Sequence, residues 1–325
     1  MPRRRTPHRH QQRTQQELSE TSLGERQLGT VVTRYGAKLD IEDEHGQRHR
    51  GTSRRKLDDI VCGDKIIWQA NKAGEAVVVE RLERTNLLSR PNDRGHAKSI
   101  AANINHVIVI SVVKGHLGDA YQLNLNLIDH YLVAAENQNI TPVLVFNKVD
   151  LLTEEEFERL GRDIETFKQI GYEIIYTSTK TERGLEPLET QLKDNTSIFV
   201  GESGVGKSSL INKLLPEIDV KVGEISELSG KGKHTTTTTM LYHLPCGGEL
   251  IDSPGVREFG LMLKEQMSIA RGFREFQPHL GLCKFNNCSH MHEPGCVIMQ
   301  AVDAGKIEQR RYNNYRRMVD ALTEV

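Results

Sequence analysis

From about residue 27 to residue 83, apolar and polar positions change over in short runs separated by turn residues. Residues 29–41 form one such run and lead into a Glu44-His45-Gly46 turn; residues 63–69 and 76–82 form two more. Alternation with glycine-bearing turns predicts short strands closing into a small barrel such as an OB-fold. Further along, the pattern changes. Residues 143–146, 172–176, 196–200 and 249–251 are compact strand-like runs, and residues 209–215 continue from one of them as a helix. Residues 297–325 read as helical. The expected fold class is multidomain α/β. It has a basic tail at 1–22, an OB-like β-barrel at 23–84, an α/β domain at 85–263 and a mostly helical, metal-binding C-terminal domain at 264–325.

Three of the later runs end in residues with recognisable chemistry. Residues 143–146 run into Asn147-Lys148-Val149-Asp150, the N-K-x-D pattern that reads guanine. Residues 196–200 run into Gly201, Glu202, Ser203, Gly204, Val205, Gly206, Lys207, Ser208 and Ser209, which fit the phosphate-binding loop G-x-x-x-x-G-K-[ST] at every fixed position. Residues 249–251 run into Asp252-Ser253-Pro254-Gly255, a D-x-x-G switch. All three stand at a strand's carboxyl end, where open α/β sheets bind ligands. An ordinary small GTPase has its phosphate loop first and its guanine reader near the end. Here the guanine reader leads, so the α/β domain reads as a circularly permuted P-loop GTPase.

Each position has a physical reason. Backbone N–H groups of 201–208, at the mouth of a helix, suit phosphate, and the glycines permit close approach. Lys207 is expected to reach the β- and γ-phosphates, and the Ser208 hydroxyl to bind magnesium. The Asp150 carboxylate is an acceptor-only fork matched to the N1–H and N2–H donors of guanine, a pair that adenine lacks. Asn147 is expected to bond across to the phosphate loop, with the Lys148 stem over the purine. Thr177-Ser178-Thr179 follows the run 172–176 and stands where GTPases place a Ser-Ala-x contact to the base; Ser178 is the assigned residue, and Thr179 departs from that pattern.

Composition narrows the setting. The net charge is −1, and no apolar run is long enough to cross a bilayer. Residues 1–16 have five arginines, two histidines and no acid, which gives no secretory signal and predicts a disordered tail. Such a tail meets nucleic acid or serves solubility. Arg48, His49, Arg50, Arg54, Arg55 and Lys56 are expected in a loop between barrel strands, facing RNA or only solvent. Arg310, Arg311, Arg316 and Arg317 form another candidate RNA surface. A cytoplasmic protein is expected, acting as a monomer.

Of five cysteines, Cys62 and Cys246 stand alone, which excludes a disulfide framework. The others form Cys283-x4-Cys288-x-His290-x5-Cys296 in sequence with little apolar content of its own. Three thiolates and an imidazole make a closed tetrahedral set suited to one structural zinc. His292 competes with His290 for the fourth place, and three metal-free thiols are the alternative.

The barrel, the permuted motifs and the terminal Cys-x4-Cys-x-His-x5-Cys resemble the bacterial ribosome small subunit-dependent GTPase A family. Arg84-Thr85-Asn86-Leu87-Leu88-Ser89-Arg90-Pro91 and Gly232-Lys233-His234-Thr235-Thr236-Thr237 strengthen the resemblance. It covers nearly the whole chain beyond the first twenty residues. It implies a GTPase that binds the small ribosomal subunit and its rRNA late in maturation, cycles GTP to GDP when stimulated by the subunit, and couples hydrolysis to release. Many GTPases have a water-orienting glutamine directly after D-x-x-G, but here that position is Val256. His234 is the candidate substitute, with an RNA or phosphate contact as its alternative role. One of Thr235, Thr236 and Thr237, assigned as Thr236, is expected at magnesium. Two other classes compete: a P-loop kinase or ATPase, opposed by Asp150, and a zinc- and barrel-based RNA-binding protein holding GTP passively, opposed by Lys207, Ser208 and Asp252.

Overall fold

The structure is a computed structural model that describes residues 23–54, 57, 59–91, 97–216, 239–253 and 266–323. The N-terminal strands are β1 (Gln27–Tyr35), β2 (Lys38–Asp43), β3 (Arg48–Ser53), β4 (Lys65–Ala70) and β5 (Ala76–Arg81). They run in the order β1-β2-β3-β5-β4 and close where β4 pairs with β1, giving the expected barrel. Val31, Leu39, Ile41, Ile66, Trp68 and Val78 fill its core. The single run 29–41 is two strands, because Gly36 takes φ +61° and turns the chain. At Gly51, where β3 meets β5, a Cβ would lie 2.2 Å from the Ala76 carbonyl oxygen, so only glycine lets the barrel close there.

Residues 48–53 are strand β3, not a loop, and their basic groups face acids of β2. Arg48 is 3.7 Å from Glu42, His49 2.7 Å from Asp43 and Arg50 3.3 Å from Asp40. Cross-strand pairing of opposite charge stabilises the sheet and balances Arg48, His49 and Arg50 with acids of β2. Arg55, Lys56 and the basic tail lie outside the described residues.

After the barrel in sequence, β6 (Leu87–Pro91) and β7 (Ala97–Ala102) form a separate hairpin. Arg84, at the junction, forks onto the buried Asp64 with bonds of 2.7 and 2.9 Å and also reaches Asp59. The conspicuous Arg84 therefore ties the barrel to the segment that follows it.

The main sheet contains β8 (His106–Val112), β9 (Thr141–Asn147), β10 (Glu173–Tyr176), β11 (Thr196–Val200), β12 (Met240–His243) and β13 (Glu249–Asp252). Its order is β10-β9-β8-β11-β13-β12, parallel except for β12. Strands buried on both faces explain the continuous apolar runs. Val107, Val109, Leu144 and Phe146 pack with α1 (Leu125–Asn137), α2 (Glu154–Asp163) and α3 (Glu165–Ile170). Ile108, Ile110, Val143 and Val145 pack on the other face with α4 (Leu185–Leu192) and α5 (Lys207–Leu214). Each such fully buried aliphatic side chain contributes about 1.5–3 kcal/mol. The order reverses between β8 and β11, which sets a switch-point crevice at their carboxyl ends.

The C-terminal region holds α6 (Gln266–Gly272), a 3-10 turn at Arg274–His279, α7 (Val297–Asp303) and α8 (Gln309–Thr323). The helical stretch expected over 297–325 is broken near Gly305, which takes φ +69°. α6 docks on α1 at Gly272, where a Cβ would lie 2.5 Å from Val133 Cγ1. Arg311 is fully buried, with Nη1 2.6 Å from Asp129 Oδ1 and its other nitrogens on Glu275 at 2.6 and 2.9 Å. Arg310 also bonds Asp129 at 2.8 Å. This overturns the expected four-arginine RNA surface: Arg310 and Arg311 bind the core of the protein, and only Arg316 and Arg317 are exposed.

Candidate functional sites

Strand β9 ends at Asn147, which is 3% exposed and aimed across the crevice. Its Nδ2 donates to the Val205 carbonyl at 2.9 Å, and its Oδ1 accepts from the Thr177 hydroxyl at 3.0 Å. The N-K-x-D segment is thereby joined to the phosphate loop on one side and to the end of β10 on the other. At Gly206, with φ +95°, a Cβ would lie 2.4 Å from Asn147 Nδ2, so glycine is required for that junction. Gly201 has φ +143° and passes so near β8 that a Cβ would sit 2.2 Å from the Ile110 carbonyl oxygen.

Ser178 is buried, and its hydroxyl donates to Asp150 Oδ1 at 2.5 Å. The Ser178 hydroxyl therefore fixes one edge of the Asp150 carboxylate. Thr177, which the motif patterns gave no role, is the residue that holds Asn147. Its sequence signal is its place directly before Ser178; that its strand runs beside β9 appears only in the fold.

The loop 201–206 leads into α5, whose first residue is Lys207. The Lys207 ammonium donates to the Gly201 and Glu202 carbonyls, both at 2.7 Å, which keeps the charge at the loop's mouth. Glu202, Ser203 and Gly204 are exposed, while Val205 is buried and anchors the loop from beneath. Ser208 and Ser209 occupy the first turn of α5. Asp252 closes β13, next to the phosphate-loop strand β11. Burial pushes its carboxyl above the usual range, and Lys207 acts against that shift. A carboxylate and a hydroxyl on neighbouring elements are hard oxygen donors of the kind magnesium takes. Gly255, Val256, His234, Thr235, Thr236 and Thr237 lie outside the described residues.

The four predicted soft ligands do come together. The ligand atoms of Cys283, Cys288, His290 and Cys296 lie within 4.8 Å of one another. Cys283 Sγ and Cys296 Sγ are 3.9 Å apart, and each is 3.5 Å from His290 Nδ1. Tetrahedral zinc bonds imply S···S edges of about 3.8 Å and S···N edges of about 3.5 Å, so the set fits the ion. Burial pushes the Cys288 thiol up to about 12, so a bare site would hold a thiol where a metal would hold a thiolate. His292 is exposed and outside the cluster, which resolves the choice in favour of His290. His290 takes a left-handed backbone, φ +60°, and Tyr312 and Tyr315 of α8 donate to the carbonyls of His290 and Ser289 at 2.8 and 2.7 Å. Among the described residues no helix is long and apolar enough to cross a membrane.

Comparison with known proteins bears on the whole chain. A family model described as RsgA GTPase matches residues 81–262. The chain is 46% identical over 324 residues to the small ribosomal subunit biogenesis GTPase RsgA of Haemophilus influenzae, covering 98% of this chain and 92% of that one. It is 48% identical over 310 residues to small ribosomal subunit biogenesis GTPase RsgA 1 of Vibrio vulnificus, covering 94% and 86%. Among solved structures, YjeQ from Thermotoga maritima aligns with a TM-score of 0.74 at 32% identity, over 92% of this chain and 99% of that one. YloQ, described as a circularly permuted GTPase, aligns at 0.73 and 26% identity, over 92% and 96%.

Proposed function

The chain belongs to the RsgA GTPase family, and from that premise we propose that this GTPase binds the small ribosomal subunit and its rRNA late in maturation. The subunit stimulates hydrolysis of GTP to GDP, and hydrolysis is coupled to release. The reading places the enzyme in the cytoplasm as a monomer. Its main support is that Asn147, Asp150, the phosphate loop and Asp252 converge on one crevice at the carboxyl ends of β9, β11 and β13.

In this reading the Asp150 carboxylate, oriented by Ser178, accepts from guanine N1–H and N2–H. Asn147 keeps base site and phosphate loop at a fixed separation. The N–H groups of 201–208 take the β-phosphate, and the Lys207 ammonium leaves the Gly201 and Glu202 carbonyls for the phosphate oxygens. Ser208 and Asp252 would hold magnesium together with Thr236, and the ion would neutralise charge that develops on the phosphates. His234 orients the attacking water, since Val256 offers no polar group there. Cys283, Cys288, His290 and Cys296 would hold one structural zinc that fixes the loop 283–296 against α8.

The deciding experiment is turnover of GTP and of ATP by the full-length protein, with and without purified small subunits. GTP-selective turnover that rises with subunit concentration is the expected result. Equal use of ATP would return the site to a general P-loop ATPase. GTP binding without turnover under either condition would leave the nucleotide a passive cofactor.

A further inference from the structure

Strand β8 ends with Val112 in register beside Asn147, so the segment 113–124 leaves the sheet next to the guanine-reading motif. Lys148 adopts a left-handed backbone, φ +59°, and its Nζ donates to the Gly115 carbonyl at 2.8 Å. Its Cε would lie 3.9 Å from a Cβ placed on Gly206. The lysine stem therefore spans from the phosphate loop to the segment 113–124, and its far end is held by that segment.

The segment is fastened directly beside Gly115. Lys114, its side chain 10% exposed, places Nζ 2.6 Å from Glu156 Oε1. Glu156 is itself fixed at the start of α2. Its Oε2 accepts from the Thr153 amide at 3.0 Å, and its own amide donates to the Thr153 hydroxyl at 3.3 Å, a complete capping box. The Lys114 bond, followed by the Thr153 amide, holds the Glu156 carboxyl below its usual range, so that group is a carboxylate at neutral pH. Further along, Tyr121 donates to Asp163 of α2 at 2.6 Å, and the Gln122 amide closes back on the Val113 carbonyl at 2.9 Å.

We propose that the Lys114–Glu156 pair is a positioning device for the guanine reader: it fixes the Gly115 carbonyl, which in turn fixes the Lys148 ammonium and stem. The inference rests on residues 147–150 being the guanine site, as proposed above. The physical need is specific. Lys114 adjoins Gly115, and without Glu156 its ammonium would compete for that carbonyl and repel Lys148. With Glu156 in place, Lys114 is drawn towards α2 and the carbonyl is left to Lys148. Lys148 is a flexible four-carbon chain, so its far end must be anchored for the stem to lie flat on a base.

The test uses the full-length protein with fluorescent GDP and GTP, comparing Lys114→Met, Lys114→Arg, Glu156→Gln, Lys148→Met and the Lys114→Met/Lys148→Met double variant. Lys114→Met should weaken GDP and GTP by the same factor, on the order of tenfold, the worth of one charge-assisted hydrogen bond. Turnover at saturating GTP should stay within about twofold, the mark of lost uniform binding. Lys114→Arg should restore affinity. Glu156→Gln keeps the acceptor of the helix cap while removing the charge, and should reproduce the loss even if Lys114→Met folds poorly. In the Lys148→Met background the Lys114 change should cost less than about twofold, because both act through one contact. Additive losses, or unchanged affinity in both Lys114→Met and Glu156→Gln, would overturn the proposal. Asp150→Asn is the control: if it weakens guanine nucleotides while Lys114→Met does not, only the positioning role fails. If Asp150→Asn also leaves affinity intact, the guanine-site reading fails and takes the positioning role with it.

Discussion

Replacing Asp129 with alanine removes a buried carboxylate on which three donors of α8 converge. Arg311 Nη1 lies 2.6 Å from Oδ1, and Arg310 Nη1 and Asn314 Nδ2 each lie 2.8 Å from Oδ2. Burial works against the Arg311 charge, and Asp129 with Glu275 outweighs it, which holds the guanidinium above its ordinary range. Breaking a buried pair by deleting one partner costs about 3–5 kcal/mol. Arg311 keeps its two bonds to Glu275, so the loss belongs at the lower end of that range. Asn314 retains the Asn126 carbonyl at 3.2 Å, and Arg310, one quarter exposed, regains water, so each adds little. The expected destabilisation is about 3 kcal/mol, against less than about 0.5 kcal/mol for Arg316→Ala on the exposed face. Native-state hydrogen exchange is the suitable assay, because a chain with several cores need not unfold in one step. Protection should fall across 266–323 and at α1 while β8 and β9 keep theirs. A loss below about 1 kcal/mol at α8 would refute the claim that this cluster latches the C-terminal region to α1.

Three further outcomes follow from the sites. Asp150→Asn should lose preference for GTP and gain xanthosine triphosphate, whose C2 carbonyl accepts from the new amide; unchanged selectivity in a competition assay would mean Asp150 does not read the base. Cys288→Ser should release the single zinc measured by elemental analysis and unsettle residues 280–296, while guanine nucleotide affinity survives; wild-type protein free of zinc would defeat this. Arg316→Ala with Arg317→Ala should flatten the logarithmic salt dependence of small-subunit binding by about one unit per lost phosphate contact, whereas Arg48→Ala with Arg50→Ala, already paired to Glu42 and Asp40, should change it far less.

The site was legible wherever chemistry is fixed by neighbours in sequence. The runs 196–200 and 249–251 are strands β11 and β13 to within a residue, because a buried parallel strand needs continuous apolar character whatever surrounds it. Strand β3 was hidden because its side chains are mostly charged or small. Arg48 and Arg50 read as loop residues until Asp40 and Glu42 stand opposite them. Arg311 was hidden for the same reason on a longer scale: a buried arginine looks like a surface one until its partner, 182 residues away, is brought alongside. Thr177 belongs with these. Its hydroxyl matters only because β9 and β10 are neighbours, a fact of topology that composition does not carry.

The permuted order changes what the sheet's far edge is attached to. β12 is the last strand of the nucleotide sheet, and an open edge invites pairing with other chains. Here barrel strand β1 covers it, Thr33 pairing with Met240, and the Glu42–His243 contact at 2.5 Å holds the same seam. The Thr33 hydroxyl donates to the Thr239 carbonyl at 2.8 Å, and the Thr239 hydroxyl donates to Ser253 Oγ at 2.9 Å. Ser253 is the residue directly after Asp252. The barrel thus protects the edge with the same contacts that hold the end of the D-x-x-G strand. The C-terminal region is held elsewhere, on α1 through Asp129 and Val133. These two hydrogen-bonded seams sit on different elements of the nucleotide domain, β12–β13 and α1. Mutations in one seam should leave the other intact, since residues without shared partners contribute additively.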